Sequence, residues 1–294
     1  MIVYLNGSFV SREDAKLSPD DRGFLLGDGI YEVIRSYRGQ FLEAEAHLDR
    51  MRRGLREIKI TGWESLEFLH VAASLLDRNG LADEDALIYM QVTRGAPPTR
   101  THAFPDAPVE PTVYVTVFPY VQKADPEAGV SMITIPDIRW GRCDLKTIGL
   151  LANCLSQQQA RENGAFDSIL VRNGLALESS ASSFFAVVNG VVITAPKTRY
   201  ILPSITRAIT LKICAKGGIA TREEAAPEDT LGQADEMFLA GTTLEILPIV
   251  KLNGVAVGNG KPGPITTGIR ELFRSYVLSA TGLAAPTGSQ LHAR

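Results

Sequence analysis

Apolar and polar positions along the chain recur with the periods of short strands and amphipathic helices. Residues 2–5 and 8–10 flank Asn6-Gly7, a dipeptide that strongly favours a two-residue hairpin turn. Elsewhere, alternating and β-branched runs predict strands, and apolar residues three or four positions apart predict helices. The further predicted strands cover residues 30–37, 40–42, 87–93, 112–117, 131–138, 166–172, 175–178, 184–188 and 191–194. The predicted helices cover residues 44–58, 66–78, 148–163, 204–217 and 266–278.

A polar, turn-rich stretch at residues 119–129 divides this pattern in two. We place a domain boundary there, with a small α/β domain over residues 1–120 and a larger strand-rich domain over residues 121–294. A chain of 294 residues is long enough for two hydrophobic cores. The tail from residue 284 is rich in small and polar residues and is predicted to be flexible.

Composition and charge narrow the class of protein. The chain is 45% hydrophobic and 21% charged, which is ordinary for a globular protein. Its net charge of −3 provides no attraction for nucleic acid or an anionic membrane. Three widely spaced cysteines argue against both a disulfide framework and a metal site. Because the chain also lacks a secretory signal pattern and an apolar run of membrane-spanning length, we expect a cytoplasmic protein without a metal ion.

Lys146 is the first candidate for chemistry. It follows the strand predicted at 131–138 and precedes the apolar residues 148–151, so its surroundings are predicted to be partly buried. Burial disfavours the charged form of an amine and frees it to attack a carbonyl, as in Schiff-base lysines. Most lysines are solvated, however, and an exposed loop lysine is the simpler interpretation of this residue alone.

Five motifs, in this order and at these spacings, resemble those of the fold-type IV pyridoxal phosphate-dependent enzymes. They are Gly27-Asp28-Gly29-Ile30-Tyr31-Glu32-Val33, His47-Leu48-Asp49-Arg50, Asp144-Leu145-Lys146, Glu178-Ser179-Ser180 and Gly241-Thr242-Thr243-Leu244-Glu245-Ile246. This group contains D-amino acid, branched-chain and related aminotransferases, and aminodeoxychorismate lyase. The resemblance covers nearly the whole chain and implies a two-domain α+β fold. Its C-terminal domain is expected to be a strand-rich pseudo-barrel, with pyridoxal 5'-phosphate at the domain interface.

The resemblance gives three residues roles toward this cofactor. Lys146 is matched with the lysine that forms the Schiff base and then carries the α-proton of the substrate. Glu178, which alone would be a solvated carboxylate at a strand end, is matched with the residue that keeps the pyridine nitrogen protonated. Arg50, which alone would be a surface arginine, is matched with the phosphate ligand. Arg139 is expected to lie just behind the residues that contact the cofactor.

The helix predicted to start at Ser204 offers a second phosphate contact. Ser204 is a suitable N-cap, and the free N–H groups of a first helical turn also bind phosphate. The resemblance assigns this binding to Ile205 and Thr206, and a further contact to Thr242. Both functions of the helix start are compatible.

Four residues are expected to bind the substrate. Tyr31 and Val33 share one face of the strand predicted at 30–37, where either could also belong to the core. Arg100 and His102 lie two residues apart, so an extended loop would point both side chains to one side, where they can donate to a carboxylate. A solvated cation beside an unrelated histidine is the alternative for this pair taken alone.

The Arg-x-His pair resembles the D-amino acid aminotransferase subgroup in particular. In that subgroup the arginine and histidine come from the neighbouring subunit and bind the substrate α-carboxylate together with a tyrosine, which implies a homodimer with shared sites. The chain departs from the subgroup pattern in the loop 96–99, which is one residue longer and could displace the pair. It also has Ala181, Ser183 and Gly241 where the pattern has Ser, Asn and Ser.

We therefore predict a pyridoxal phosphate-dependent transaminase acting on a D-amino acid such as D-alanine and on pyruvate or 2-oxoglutarate, in two half-reactions. No nucleic acid or membrane partner is expected. The alternatives are a transaminase of branched-chain L-amino acids or (R)-amines, aminodeoxychorismate lyase, and a non-catalytic cofactor-binding protein. Arg100 and His102 disfavour the branched-chain alternative, whereas the longer loop leaves room for amines. The joint presence of Lys146, Glu178 and Arg50 disfavours the non-catalytic alternative.

Overall fold

A computed structural model describes residues 1–64 and 66–284 and contains two β-sheets with helices packed against them. From residue 285 onwards, the tail predicted to be flexible lies outside the described residues.

The first sheet is antiparallel and has the strand order β2-β1-β6-β5-β3-β4. Its strands are β1 (Ile2–Leu5), β2 (Ser8–Ser11), β3 (Gly29–Tyr37), β4 (Gln40–Phe41), β5 (Ala86–Thr93) and β6 (Thr112–Pro119). The helices of this half are α1 (Arg22–Leu26), α2 (Ala44–Glu57) and α3 (Phe68–Arg78). Met51 and Leu55 of α2 join Ile30 and Ile34 of β3 in one buried cluster. Because α2 packs on β3 in this way, other residues on the facing sides of this helix and strand also come close together.

The second sheet has ten strands, most of them buried on both faces. They are β7 (Val130–Pro136), β8 (Asp167–Arg172), β9 (Leu175–Ser179), β10 (Ser183–Val188), β11 (Val191–Thr194), β12 (Thr221–Glu223), β13 (Ala226–Pro227), β14 (Glu236–Gly241), β15 (Glu245–Leu252) and β16 (Val255–Ala256). Its helices are α4 (Leu151–Glu162), α5 (Ile205–Lys216) and α6 (Pro264–Thr281), with a 3₁₀ helix at Glu228–Gln233. α5 and α6 pack together on β14 and β15 through a second apolar cluster.

The second sheet closes on itself. Its path runs β10-β14-β15-β7-β8-β9, and β9 then pairs with β10 where Ser183 lies opposite Glu178. The Ser179 N–H also donates to the Ser182 carbonyl at 2.8 Å across this seam. Closure therefore places Glu178 at the junction of the barrel, beside the first sheet.

The predicted fold class is confirmed: the chain is α+β, and its second half is a strand-rich pseudo-barrel. The strands of the two sheets lie within residues 2–119 and 130–256, although the domain boundary at 120/121 itself remains a prediction. In residues 1–64 and 66–284, none of the helices has the length and hydropathy needed to cross a bilayer.

The sequence pattern did not predict α1, β14 and β15 or the short elements β12, β13, β16 and the 3₁₀ helix, and it placed the start of α4 too early. All six residues of β14 are buried, so the strand shows no alternation. β15 contains Pro248, a residue that argues against a central strand. α1 has only five residues, too few for a periodic signal. α4 begins at Leu151 instead of 148, because the backbone just before it pairs with β3.

Candidate active site

A cavity of about 500 Å³ lies between the first sheet and the seam of the barrel. That volume suits a small cofactor together with a substrate. The residues predicted for the site that line it are Tyr31, Val33, Arg50, Lys146, Glu178 and Thr242. These six come from five separate segments of the chain, so only the tertiary fold brings them together.

The backbone of Lys146 is fixed against the free edge of β3. The Tyr31 N–H donates to the Lys146 carbonyl at 3.0 Å, and the Ile148 N–H donates to the Gly29 carbonyl at 3.1 Å. The Lys146 Nζ lies 4.3 Å from the centroid of the Tyr31 ring. The side chain is half-buried, which agrees with the partial burial predicted from sequence.

Asp144 holds the segment leading to Lys146. Its carboxylate accepts from Arg53 Nη2 at 2.5 Å and from Arg142 Nε at 2.9 Å. Burial alone would raise the pKa of Asp144, but these two arginines outweigh burial and lower it. The sequence analysis proposed no role for Arg53, which lies 91 positions from this carboxylate.

Glu178 is 5% exposed and lies at the head of a buried ion-pair network. Its Oε1 accepts from Arg139 Nη1 at 2.5 Å, and both carboxylate oxygens accept from the Leu202 N–H at 3.2 Å. Asp137 in turn pairs with Arg139 through both its oxygens, at 2.9 and 3.0 Å, and with Arg172 at 3.1 Å. Burial raises the pKa of Glu178, and the Arg139 guanidinium opposes that rise. Arg139 therefore contacts Glu178 directly, which is consistent with its expected place behind the residues that contact the cofactor.

Arg50 is oriented by a carboxylate for which the sequence analysis proposed no role. Arg50 Nε and Nη2 donate to the two oxygens of Glu32 at 2.9 and 2.7 Å, and His47 Nδ1 lies 3.1 Å from Glu32 Oε1. Burial alone would raise the pKa of Glu32, but the charge of Arg50 and the His47 hydrogen bond hold it far below its ordinary value. A sequence signal existed: Glu32 lies between Ile30 and Ile34 on the buried face of β3, where a charge needs a partner.

The start of α5 supplies donors next to Arg50. The Ser204 side chain accepts from the Arg207 N–H at 3.1 Å, as an N-cap does. The N–H groups of Ile205 and Thr206 belong to the first helical turn and have no acceptor within the helix. Arg50 Nη1 donates to the Pro203 carbonyl at 3.1 Å, so the guanidinium reaches this turn.

These groups fit the phosphate of the expected cofactor. Ile205, Thr206 and Thr242 line a small cavity beside the main one, and Thr242 lines both. Donors at a helix N-terminus together with a guanidinium form a suitable set for a phosphate. Ser183 Oγ also lines the main cavity and is a buried hydroxyl without a protein partner in the described residues. The residues present therefore fit pyridoxal 5'-phosphate.

The four predicted substrate residues divide into two pairs. Tyr31 and Val33 are half-buried and line the cavity, with Tyr31 stacked on Tyr89 at a centroid distance of 5.6 Å. Arg100 and His102 are exposed, lie on the segment between β5 and β6, and are not part of the cavity lining within this chain. The structure does not bring this second pair to the Lys146 of its own chain.

Comparison with known proteins gives consistent matches over nearly the whole chain. The family model described as amino-transferase class IV matches residues 29–252. A D-alanine aminotransferase of Staphylococcus aureus (strain MSSA476) is 39% identical over 279 residues, which cover 94% of this chain and 98% of that protein. One from Bacillus licheniformis is 37% identical over 284 residues, covering 96% and 99%. The solved branched-chain amino acid aminotransferase of Escherichia coli superposes with a TM-score of 0.85 at 25% identity, covering 98% of this chain and 97% of that one.

Proposed function

Since the chain belongs to the class IV aminotransferase family, we propose that it transfers the amino group of a D-amino acid, such as D-alanine, to a 2-oxo acid, such as pyruvate or 2-oxoglutarate. The observation that carries this proposal is the convergence of Lys146, Glu178 and Arg50 on one cavity. The chain is also 37–39% identical to D-alanine aminotransferases over more than nine tenths of its length. The reaction proceeds as two half-reactions, one for each substrate.

Pyridoxal 5'-phosphate supplies the carbonyl that captures the amino group and the ring that accepts electrons from the α-carbon. Arg50, the N–H groups of Ile205 and Thr206, and Thr242 hold its phosphate. Glu178 holds a proton on the pyridine nitrogen, and Arg139 keeps this carboxylate in place at 2.5 Å. The Lys146 amine would hold the cofactor through its carbonyl carbon and would carry the α-proton of the substrate.

Selection of the substrate depends on its carboxylate. Arg100 and His102 of a second chain donate to the α-carboxylate, and Tyr31 completes the set. The centroid of the Tyr31 ring lies 4.3 Å from the Lys146 Nζ, so the position of this tyrosine is fixed relative to the base. The side on which the carboxylate is held decides for which enantiomer the α-hydrogen faces Lys146, and therefore the hand of the amino acid that reacts.

The proposed state is a cytoplasmic homodimer with shared active sites. Arg100 and His102 are exposed and remote from the cavity of their own chain. Phe24 and Phe104, 76% and 48% exposed, are apolar surface that a second chain would cover. Cys143, Cys154 and Cys214 are unpaired thiols, as expected in a reducing compartment.

The activity is tested by assaying the purified protein with 2-oxoglutarate as amino acceptor. We expect turnover with D-alanine and little with L-leucine or an (R)-amine. Faster turnover of L-leucine would instead favour branched-chain transamination, and failure with every amino donor would contradict an aminotransferase. Loss of the visible cofactor absorbance on borohydride reduction would establish the Schiff base.

Shared sites are tested by mixing two impaired variants under conditions that exchange subunits and assaying them at a D-alanine concentration well below the KM of Arg100→Ala. Lys146→Ala removes the base and Arg100→Ala removes the carboxylate donor, so each homodimer is impaired. In a hybrid dimer, one site combines the intact Lys146 of one chain with the intact Arg100 of the other, and activity should return. An equimolar mixture that is no more active than its components would contradict site sharing, provided that sequential purification through a different affinity tag on each chain confirms hybrid dimers.

A further inference from the structure

The segment that carries His102 is held through its backbone by one buried arginine. Arg22, which is 3% exposed, donates from Nη1 to the Thr101 carbonyl at 2.6 Å and to the Ala103 carbonyl at 3.3 Å. Its Nη2 donates to the His102 carbonyl at 3.4 Å. A single guanidinium thus contacts three consecutive carbonyls, while the side chains of this segment remain free to point away.

Arg22 is itself fixed by a carboxylate shared with a second arginine. Asp28 Oδ2 accepts from Arg22 Nε at 2.8 Å and from Arg94 Nε at 2.7 Å, and Asp28 Oδ1 accepts from Arg94 Nη2 at 2.9 Å. The Arg94 guanidinium also stacks over the Phe104 ring at 3.7 Å. Burial alone would raise the pKa of Asp28, but the two arginines outweigh it and keep the carboxylate ionised.

The helix that carries Arg22 is locked onto the sheet. Asp21 caps α1 by accepting from the Gly23 N–H at 2.7 Å, and it also accepts from Thr93 Oγ1 at 2.9 Å. A side chain on Gly23 would collide with Thr93, since its Cβ would lie 2.3 Å from the Thr93 Cγ2. The position of Arg22 is therefore set by rigid elements and not by the loop that it contacts.

We propose that Arg22, Asp28 and Arg94 form a clamp that positions Arg100 and His102 for recognition of the substrate carboxylate. This inference rests on the proposed function, and it makes these three residues positioning residues. Asp28 directly precedes β3, so the clamp anchors the segment that serves the second chain's site to the strand that carries Tyr31 of the chain's own site. The clamp holds carbonyls from Thr101 onward, so the additional residue of the loop 96–99 is accommodated upstream of the clamped segment.

The test is Arg22→Lys, which keeps a positive charge beside Asp28 but cannot contact the carboxylate and three carbonyls at once. We expect KM for D-alanine and for 2-oxoglutarate to rise about tenfold, because charge-assisted hydrogen bonds of this kind contribute about that much. The kcat and the cofactor absorbance should stay close to those of the wild type. Turnover of an amine without a carboxylate should be unchanged. The matched control is Arg270→Lys, which alters a partly buried arginine paired with Glu127 in the other half of the chain.

Coupling separates positioning from a general structural role. In an Arg100→Ala/His102→Ala background, Arg22→Lys should raise KM no further, because the groups that it positions are gone. Asp28→Asn should reproduce the KM pattern if Arg22→Lys fails to fold. An equal loss for substrates with and without a carboxylate, or full additivity with the double variant, would overturn the proposal.

A substrate-free measurement distinguishes failure of the clamp from failure of the proposed function. Trypsin cleaves after Arg100, and release of the clamp should accelerate cleavage there several-fold, since local opening governs proteolysis. Equal cleavage rates in the wild type and Arg22→Lys would overturn the clamp whatever the substrate. Faster cleavage in an enzyme that does not use D-alanine would support the clamp and reject the proposed substrate.

Discussion

The residues proposed for the cofactor and those proposed for the substrate carboxylate lie in opposite environments. Glu178 is buried, the Arg50 side chain is only 7% exposed, and a carboxylate–arginine pair fixes each. Arg100 and His102 are exposed, and only the backbone of their segment is clamped. One chain thus encloses the groups proposed to carry out proton transfer but presents the groups proposed to recognise the carboxylate on its surface.

This difference has a physical reason. A group that must hold a proton or a charge at a defined place benefits from desolvation and from partners that fix its geometry. A carboxylate site must open to admit and release substrate, and donors contributed by a second chain can meet that need without opening the interior. Changes to the interior should therefore abolish chemistry with every substrate, whereas changes to the segment should act only on substrates that have a carboxylate.

Lys146→Ala should have the largest effect. Without the amine there is neither a Schiff base nor a base for the α-proton, so turnover should fall at least about a thousandfold for every amino donor. The measurement is steady-state turnover of D-alanine together with the visible spectrum before and after borohydride. Turnover close to that of the wild type would refute the assignment of Lys146.

Arg139→Met should reduce kcat about a hundredfold, because a buried carboxylate deprived of its cation binds a proton instead of remaining ionised. Burial already raises the pKa of Glu178, and removing Arg139 raises that pKa further. Since the ionised carboxylate is the active form, the acid limb of the kcat profile should move to higher pH. Arg172→Met is the matched control, because Arg172 contacts Asp137 but not Glu178. The decrease in kcat should be much smaller in this variant. Equal losses in the two variants would break the proposed link between Arg139 and Glu178.

The sequence predicted those parts of the fold that local pattern determines. The Asn6-Gly7 hairpin, the apolar face of α2 and the strands β5 to β11 follow from spacing and turn residues. The buried strand β14 and the proline-containing strand β15 do not, because their strand character depends on neighbours on both faces. Closure of the barrel at Glu178 and Ser183 is likewise a tertiary contact that no local pattern encodes.

Motif resemblance predicts that Lys146, Glu178 and Arg50 share one site, and in the structure all three line one cavity. Most of the ion pairs around this site are not predicted by local sequence pattern. Arg139 and Glu178 are 39 positions apart, and Arg53 and Asp144 are 91 positions apart, so nothing local connects them. Glu32 was detectable, because a carboxylate on the apolar face of a strand requires a cation nearby.

Arg100→Ala should affect only the exposed groups proposed to recognise the substrate carboxylate. We expect KM for D-alanine to rise 10- to 100-fold, the loss expected for hydrogen bonds to a charged group, while an amine without a carboxylate is spared. Arg78→Ala is a suitable control, since this arginine of α3 is exposed and stacks on Phe9. A decrease in cofactor absorbance in Arg100→Ala would contradict the separation of the two regions.

Glu32→Gln should have the smallest effect on turnover and a distinct effect on acid stability. Arg50 and His47 hold the pKa of Glu32 below its ordinary value of 4.5, so the ionised carboxylate stabilises the fold above that pH. This contribution is lost as the pH falls below about 4.5, at roughly 1.4 kcal/mol for each pH unit. Gln cannot titrate, so the stability advantage of the wild type over Glu32→Gln should be constant between pH 7 and about 5.5 and should then shrink.

The measurement is the thermal midpoint of both proteins, with cofactor bound, from pH 7 to pH 3.5. His47 faces the same carboxylate, and its pKa is lowered mainly by burial, so its own titration contributes to the acid loss in both proteins. The difference between the two curves therefore reports the ionised Glu32 together with its raising effect on the pKa of His47. A gap that stays constant down to pH 3.5 would mean that Glu32 is not an ionised partner of Arg50. In that case no ion pair with Glu32 would orient Arg50, the residue proposed to bind the cofactor phosphate.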